Sequence, residues 1–184
     1  MKIRNALFAA LAAVSFSAAA QELSIGLSTP VTTMDPHFHN LTPNNSIAKH
    51  IFETLVHQDD QQALRPGLAE SWKALDDSTW EIKLRRNVRW HDGSPFTAED
   101  VLATLKRIPN VPNSPASFAI YTRPISDAKA KDAHTVILTT RAPHPLLPND
   151  LATIHIISAK MAGMGTPDYN SGKAVNGTGP YRFG

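Results

Sequence analysis

The sequence predicts a mixed α/β fold, because two kinds of apolar periodicity occur along it. Residues 80–84 alternate apolar and charged side chains, which is the period of a half-buried β-strand. Residues 44–57 instead place their apolar side chains on one helical stripe, and residues 97–108 do the same. A chain of 184 residues that carries both patterns is long enough for one ordinary domain.

The first twenty residues have the layout of a secretory signal peptide. Lys2 and Arg4 precede an apolar run over residues 6–16, and three alanines close the segment at residues 18–20. The run is too short for a membrane anchor, which needs about 20 apolar residues. We therefore expect residues 1–20 to be a signal peptide and the rest to be an exported protein.

The exported part is formally neutral. The full sequence has 18 Lys and Arg against 16 Asp and Glu, and the predicted signal peptide contains two of the cations and none of the acids. No basic stripe remains, which argues against a nucleic-acid partner. The sequence has no cysteine, which excludes disulfides and a lipid-anchored cysteine. These features favour a soluble protein of a bacterial periplasm.

Several further elements follow from local signals. Residues 23–27 alternate and predict a first strand, and residues 135–140 and 154–157 predict two later ones. The alternation of residues 80–84 resumes at residue 88, so we expect a β-hairpin with Asn87 at its turn, where asparagine tolerates a left-handed backbone.

The stretch WHDGSPFTAED places three residues of a catalytic triad, His91, Asp92 and Ser94, close together. A triad needs side chains that converge from separate parts of a fold, and no G-x-S-x-G elbow occurs in the sequence. Asp92 and Gly93 form a turn dipeptide, and Thr97 with the acids after it is typical of a helix N-terminus. We interpret the stretch as a turn followed by a capped helix, with a secreted hydrolase as the less favoured alternative.

A second group of candidate ligands lies in the loop around residue 37. His37 and His39 are two positions apart and Asp35 is adjacent, so this loop resembles part of a metal site. A metal site needs three or four ligands, and no third histidine lies nearby in the sequence. Exposed loop histidines are the favoured interpretation, and no cofactor is predicted.

Taken together, four segments resemble the family 5 extracellular solute-binding proteins. Residues 64–108 are similar to the signature block of that family, residues 34–37 and 51–56 to its opening, and residues 176–183 to its return segment. The family usually has a glycine where this sequence has Arg86-Asn87. Its members are the periplasmic receptors of dipeptide, oligopeptide and nickel ABC importers.

This resemblance implies a periplasmic binding protein-like fold of type II, with two lobes that close on a ligand. Residues 21–184 are then expected to form the N-terminal part of lobe I, including most of its small extra subdomain. The implied function is a monomeric, non-enzymatic receptor that captures di- or oligopeptides and delivers them to permease subunits in the inner membrane. A receptor for a nickel chelate or haem is the alternative, favoured by Met34, His37 and His39.

The resemblance also implies where the ligand binds. The loop after the first predicted strand matches the ligand-facing loop of the family, Tyr121 falls in the segment that supplies an aromatic cleft residue, and the GTG segment lies near the cleft. The expected ligand-binding residues are Ser28, Thr29, Val31, Thr32, Thr33, Tyr121, Thr178 and Gly179.

Overall fold

The computed structural model describes residues 24, 26–27 and 29–184. The predicted signal peptide, Leu23, Ile25 and Ser28 lie outside the described residues, and the described residues of the predicted first strand, Ser24, Gly26 and Leu27, are not in a strand. In chain order the helices are α1 (Thr42–Ile51), α2 (Ala98–Arg107), α3 (Ala119–Thr122), α4 (Leu147–Leu151) and α5 (Thr166–Asn170). The strands are β1 (Val56–Gln58), β2 (Leu64–Pro66), β3 (Ala69–Ala74), β4 (Thr79–Leu84), β5 (Ile125–Asp132) and β6 (Thr135–Thr140). Among the described residues, no helix combines the length and the apolar character needed to cross a bilayer.

A four-stranded antiparallel sheet, in the order β3-β4-β6-β5, forms the largest element. Its two central strands pair Ile82 with Val136, and both side chains are fully buried. The opposite face is charged, because the carboxylate of Glu81 lies between Lys73 at 3.2 Å and Lys131 at 3.1 Å. One face of the sheet therefore covers the core and the other faces solvent, as is common for antiparallel sheets.

The prediction of a hairpin after β4 is wrong. Both edges of β4 are occupied, by β3 and by β6, so the residues after Asn87 have no free edge to pair with. They pair instead with their own continuation, since the Phe96 amide donates to the Val88 carbonyl at 3.0 Å. Asn87 does adopt the left-handed backbone predicted for it, with φ of 63°.

Helix α2 begins where the sequence predicts. The carboxylate of Asp100, three residues after the N-cap Thr97, accepts a hydrogen bond from the Thr97 amide at 2.8 Å. Val101 and Leu105 form part of its buried side, which packs in the main core with β6 residues such as Val136. An N-cap signal followed by an apolar stripe thus predicts this helix correctly.

Helix α1 ends at Ile51, well before the predicted end at residue 57, because a distant segment occupies its C-terminus. The carbonyl of Ile51 accepts from the Gly179 amide at 2.8 Å, and the carbonyl of His50 accepts from the Tyr181 amide at 3.0 Å. A Cβ atom at Gly179 would lie 2.7 Å from the Ile51 carbonyl oxygen, so only glycine allows this approach. The chain then extends from Phe52 into β1.

Residues 154–157 lie beside this extended segment without forming a regular strand. They make an isolated bridge between Thr54 and His155, and the Ile156 amide donates to the Glu53 carbonyl at 2.8 Å. Ile154 and Ile156 are fully buried, so the apolar run marks core residues. The prediction of a strand over these residues is therefore wrong.

Candidate functional site

Two sets of hydrogen-bonded polar side chains lie beside each other at the loop before α1, the first turn of α1 and the short helix α3. Thr32, His39 and Asn44 form the first set, and Asn40, Asn45 and Tyr121 form the second. The two sets adjoin along the backbone at residues 39–40 and 44–45, and we call them together the Thr32–Tyr121 network.

Asparagine amides make most of the bonds in this network. Asn44 accepts from the Thr32 amide at 2.9 Å and donates to the Thr32 hydroxyl at 3.0 Å. Asn45 donates to the side-chain oxygen of Asn40 at 2.8 Å, and Asn40 donates to the Tyr121 hydroxyl at 3.1 Å. Tyr121 is half-buried, so the network fixes its phenol at the protein surface with the oxygen held in place.

The network forms because the loop before α1 lies along the segment that leads to α3. His39 and Ala116 form a parallel bridge, and the Asn40 amide donates to the Ala116 carbonyl at 2.9 Å. Behind them, Phe118 is fully buried in the main core and anchors α3. Residues about 80 positions apart in sequence thus present one continuous polar surface.

A polar cavity of about 410 Å³ begins at Asn45 and continues along α1. We call it the α1 cavity. Its walls come from α1, from the β1–β2 hairpin and from residues 152–155, and its polar lining includes Asn45, Lys49, Glu53, Thr54, Thr153 and His155. Because Asn45 belongs to both, the network and the cavity form one surface, which is our candidate site.

His155 is the most unusual residue of this surface. Its side chain is 2% exposed, and neither ring nitrogen has a hydrogen-bond partner among the described residues. Burial, together with the neighbouring His37 and Lys49, lowers the pKa of His155 to about 3. The imidazole is therefore neutral near pH 7 and keeps one donor and one acceptor unused.

Beneath the surface, a buried ion pair fixes the loop that carries Thr32. The guanidinium of Arg107 donates to both carboxylate oxygens of Asp35, at 2.9 and 2.7 Å, and lies 4.7 Å from the centre of the Tyr169 ring. The Thr166 hydroxyl donates to the same carboxylate at 2.7 Å. Burial would raise the pKa of Asp35, but the hydrogen bonds and the charge of Arg107 outweigh it and hold that pKa below its usual value.

His37 belongs to this buried cluster and does not have a free ring nitrogen. Its Nε2 donates to the His155 carbonyl at 2.7 Å, so its Nδ1 is the acceptor that Arg107 reaches at 3.0 Å. Burial and the charge of Arg107 lower the pKa of His37 to about 4. Among residues 29–184, no group of three His, Asp or Glu side chains is arranged to hold a metal ion.

The residues of the suspected triad are used in a turn. The Ser94 hydroxyl donates to Asp92, and this bond with that of the Ser94 amide lowers the pKa of Asp92 to about 2. His91 instead contacts the later GTG segment, where its Nε2 donates to the Gly179 carbonyl at 2.7 Å and its Nδ1 accepts from the Gly177 amide at 3.3 Å. No Ser94–His91 hydrogen bond exists, and the turn interpretation agrees with this geometry.

The structure brings some of the predicted binding residues together. Thr32 belongs to one hydrogen-bonded set of the network and Tyr121 to the adjoining one. Thr29 is exposed and Val31 half-buried just before them, whereas Ser28 lies outside the described residues. Their contact with a ligand stays a prediction.

The other predicted residues are placed differently. The Thr33 hydroxyl is buried and donates to the Asn170 side chain at 2.8 Å, which is a structural contact. Thr178 and Gly179 lie at the C-terminal end of α1, about 15 Å from its first turn by the rise of a ten-residue helix. The Thr178 hydroxyl is buried without a partner among the described residues.

Several residues of the candidate site were not predicted to bind a ligand, among them Asn40, Asn45, Lys49, Thr153 and His155. Only Asn45 and Lys49 left a sequence signal, since polar residues four positions apart share one face of a helix. The others come from loops whose neighbours are set by tertiary contacts.

With this geometry established, comparison with known proteins identifies the class. The profile of bacterial extracellular solute-binding proteins, family 5 Middle, matches residues 63–184. The glutathione-binding protein GsiB of Escherichia coli K12 is 32% identical over 170 residues, which are 90% of this chain and 32% of that protein. The periplasmic oligopeptide-binding protein OppA of the same strain is 34% identical over 131 residues, covering 62% of this chain and 24% of OppA.

A solved structure agrees with these sequence matches. NikZ from Campylobacter jejuni, in complex with Ni(L-His), superposes with a TM-score of 0.73 at 26% identity, over 85% of this chain and 31% of NikZ. The chain therefore belongs to the family 5 bacterial extracellular solute-binding proteins. The predicted α/β, periplasmic binding protein-like fold is confirmed, and the chain spans about a third of the length of the relatives it matches.

Proposed function

We propose that this chain is the N-terminal part of the periplasmic substrate-binding component of an ABC importer, and that its ligand is a short peptide. The observation that carries the proposal is the continuous polar surface of the Thr32–Tyr121 network and the α1 cavity. Family membership supports a receptor, and the names of GsiB and OppA support a peptide as the ligand.

The candidate site suits the main chain of an extended peptide. Side-chain amides, a phenol and a hydroxyl line one surface, so they can bond to peptide N–H and C=O groups whatever the ligand's side chains are. The buried Asp35–Arg107 pair fixes the backbone beneath this surface before a ligand arrives, which lowers the entropy cost of binding.

Transport requires closure of the receptor and contact with the permease after the ligand has bound to this surface. In the proposed mechanism the ligand is held between this segment and a second lobe, and closure of the lobes presents the closed form to the permease subunits. In this mechanism no covalent bond is made or broken. The function of the receptor therefore depends on its affinity for the ligand.

Isothermal titration calorimetry tests the proposal. The protein is purified with any residues that its gene encodes beyond Gly184, and glutathione and trialanine are titrated into it. We expect saturable one-to-one binding of at least one of these peptides, and Tyr121→Phe should weaken it because Asn40 loses its phenol acceptor. Absence of binding by both peptides would contradict a peptide receptor.

A nickel chelate is the second candidate, since NikZ was solved with Ni(L-His). Both ring nitrogens of His37 are used within the protein, so a chelate would have to bind without that residue as a ligand. Stoichiometric uptake of nickel–histidine by the same preparation, with no peptide binding, would favour this alternative.

A further inference from the structure

A groove of about 510 Å³ lies between α2, α3 and the edge strand β5, and we call it the α2–β5 groove. Its apolar lining comes from Leu102, Leu105, Pro109, Ala119, Ile125 and Ala128. The lining also includes three exposed cations, Lys106, Arg123 and Arg141. Among the residues that the structure describes, none of the three has a carboxylate within 4 Å, because Asp127 beside them pairs with Lys129 at 2.6 Å. The groove therefore suits an apolar group flanked by negative charge.

The turn between β3 and β4 has the complementary character. Leu75 is 50% exposed at the start of this turn, and Asp76 and Asp77 follow it as exposed acids. Asp76 accepts from the Ser78 amide at 2.8 Å, which fixes the turn. Within the described part of the chain, neither acid has a cation within 4 Å. The turn thus presents one apolar side chain beside two free negative charges.

The turn and the groove lie at the same end of the four-stranded sheet. Thr140, the last residue of β6, pairs with Ile125 of the groove, and its amide donates to the Ser78 carbonyl of the turn at 2.8 Å. The turn joins β3 and β4, whereas β5 is the opposite edge, so β6 separates the turn from the groove of its own chain. A two-fold axis perpendicular to the sheet at this end reverses the strand order. It therefore sets the turn of each copy opposite the groove of the other.

We propose that two copies of this protein associate through this end of the sheet, and that each inserts Leu75 into the α2–β5 groove of the other. The two acids of each turn then lie beside the three cations of the facing groove. Because both copies use the same pair of surfaces, the association closes at a dimer. The proposal replaces the monomer that the family resemblance implies, and it does not depend on which ligand the receptor binds.

Sedimentation equilibrium of the purified protein, with any residues that its gene encodes beyond Gly184, tests the association. We expect a reversible equilibrium between monomer and dimer. Its dissociation constant should rise at least about tenfold from low salt to about 0.5 M NaCl, because salt screens exposed charge pairs. Leu75→Ser should also raise it at least about tenfold, because the apolar contact with the groove is lost.

Exchange of charges between the turn and the groove tests which surfaces meet. The turn variant is Asp77→Lys, and the groove variant combines Lys106→Glu with Arg123→Glu. Each variant alone should lose at least about tenfold in dimer affinity, because opposite charges no longer face each other. A mixture of the two should form a heterodimer, in which the introduced lysine meets the introduced glutamates and the unchanged turn meets the unchanged groove. Arg86→Glu is the control, because Arg86 is exposed beyond the other end of β4, and it should leave the dissociation constant unchanged.

Several results would overturn the proposal. A protein that stays monomeric at about 1 mM, or a dimer that salt strengthens, would do so. So would a dimer that neither variant weakens, or folded variants that do not pair when mixed. Thermal unfolding shows whether each variant is folded. If a charge variant does not fold, the salt dependence of the unsubstituted protein and the effect of Leu75→Ser still decide between the dimer and its absence.

Discussion

Replacement of Arg107 by methionine isolates the energy of the buried ion pair. The substitution removes the hydrogen bonds of 2.9 and 2.7 Å to Asp35, a side chain that is 2% exposed, and leaves Thr166 as its remaining side-chain donor. Loss of one partner of a buried pair costs about 3–5 kcal/mol, because the other charge stays buried. For a chain of this size, that loss corresponds to a fall in Tm of roughly 6–20 °C.

The pH dependence of this loss has a definite sign. In the unsubstituted protein the pKa of Asp35 is below its usual value, so its stabilising contribution is present at neutral pH and is lost as the pH falls through the folded pKa. Without Arg107, burial raises that pKa, and the folded state binds a proton more readily than the unfolded state. The deficit of Arg107→Met should therefore shrink between pH 7.5 and pH 5.

Urea unfolding at both pH values measures the effect. The control is Lys73→Met, which removes an exposed lysine while Glu81 keeps Lys131 as its partner at 3.1 Å, so it should cost much less. The double variant Asp35→Asn with Arg107→Met should recover part of the loss, because no charge is left buried. A deficit no larger than that of Lys73→Met, or one that grows on acidification, would refute the reasoning.

Three further results are expected. Gly179→Ala should destabilise the protein by about 1–3 kcal/mol in urea, since the new methyl group meets the α1 carbonyls, whereas Gly163→Ala meets open space and should change little. His37 and His155 have pKa values lowered to about 4 and 3. The free energy of unfolding should therefore fall as the pH drops from about 6.5 toward 4, by about 3 kcal/mol from His37 alone. A pH profile that stays flat would contradict the burial of both residues in the neutral form. Tyr121→Phe should change stability by no more than about 1 kcal/mol yet weaken peptide binding several-fold by calorimetry, and an unchanged affinity would remove this phenol from the site.

Local signals predicted those elements whose boundaries are set locally. Helix α2 has an N-cap, an acidic first turn and an apolar stripe, and β6 has an alternating run, so each was found from its own residues. The predictions of the hairpin and of the end of α1 were wrong for the same reason. The alternation after Asn87 does not say which strand edges are already occupied, and the α1 stripe does not reveal that Gly179 takes the Ile51 carbonyl.

The candidate site shows the same limit. Tyr121 was predicted from the resemblance to the family, whose corresponding segment supplies an aromatic cleft residue, but its partner Asn40 lies 81 positions earlier and has no motif. His155 was placed in a predicted strand without any expected function, and only the structure shows that its ring nitrogens have no hydrogen-bond partner among the described residues. The chemistry of this site depends on contacts between distant residues, which one sequence alone does not specify.

The segment before β1 is held in place by contacts with residues that lie far later in the sequence. The Thr33 hydroxyl donates to the side chain of Asn170, 137 positions later. The carbonyl of Ile51, at the end of α1, accepts from the Gly179 amide. A chain emerging from the ribosome cannot complete this corner until nearly all of its described length has been made. Contacts of such high sequence separation slow folding, so this corner should be among the last parts of the described chain to form.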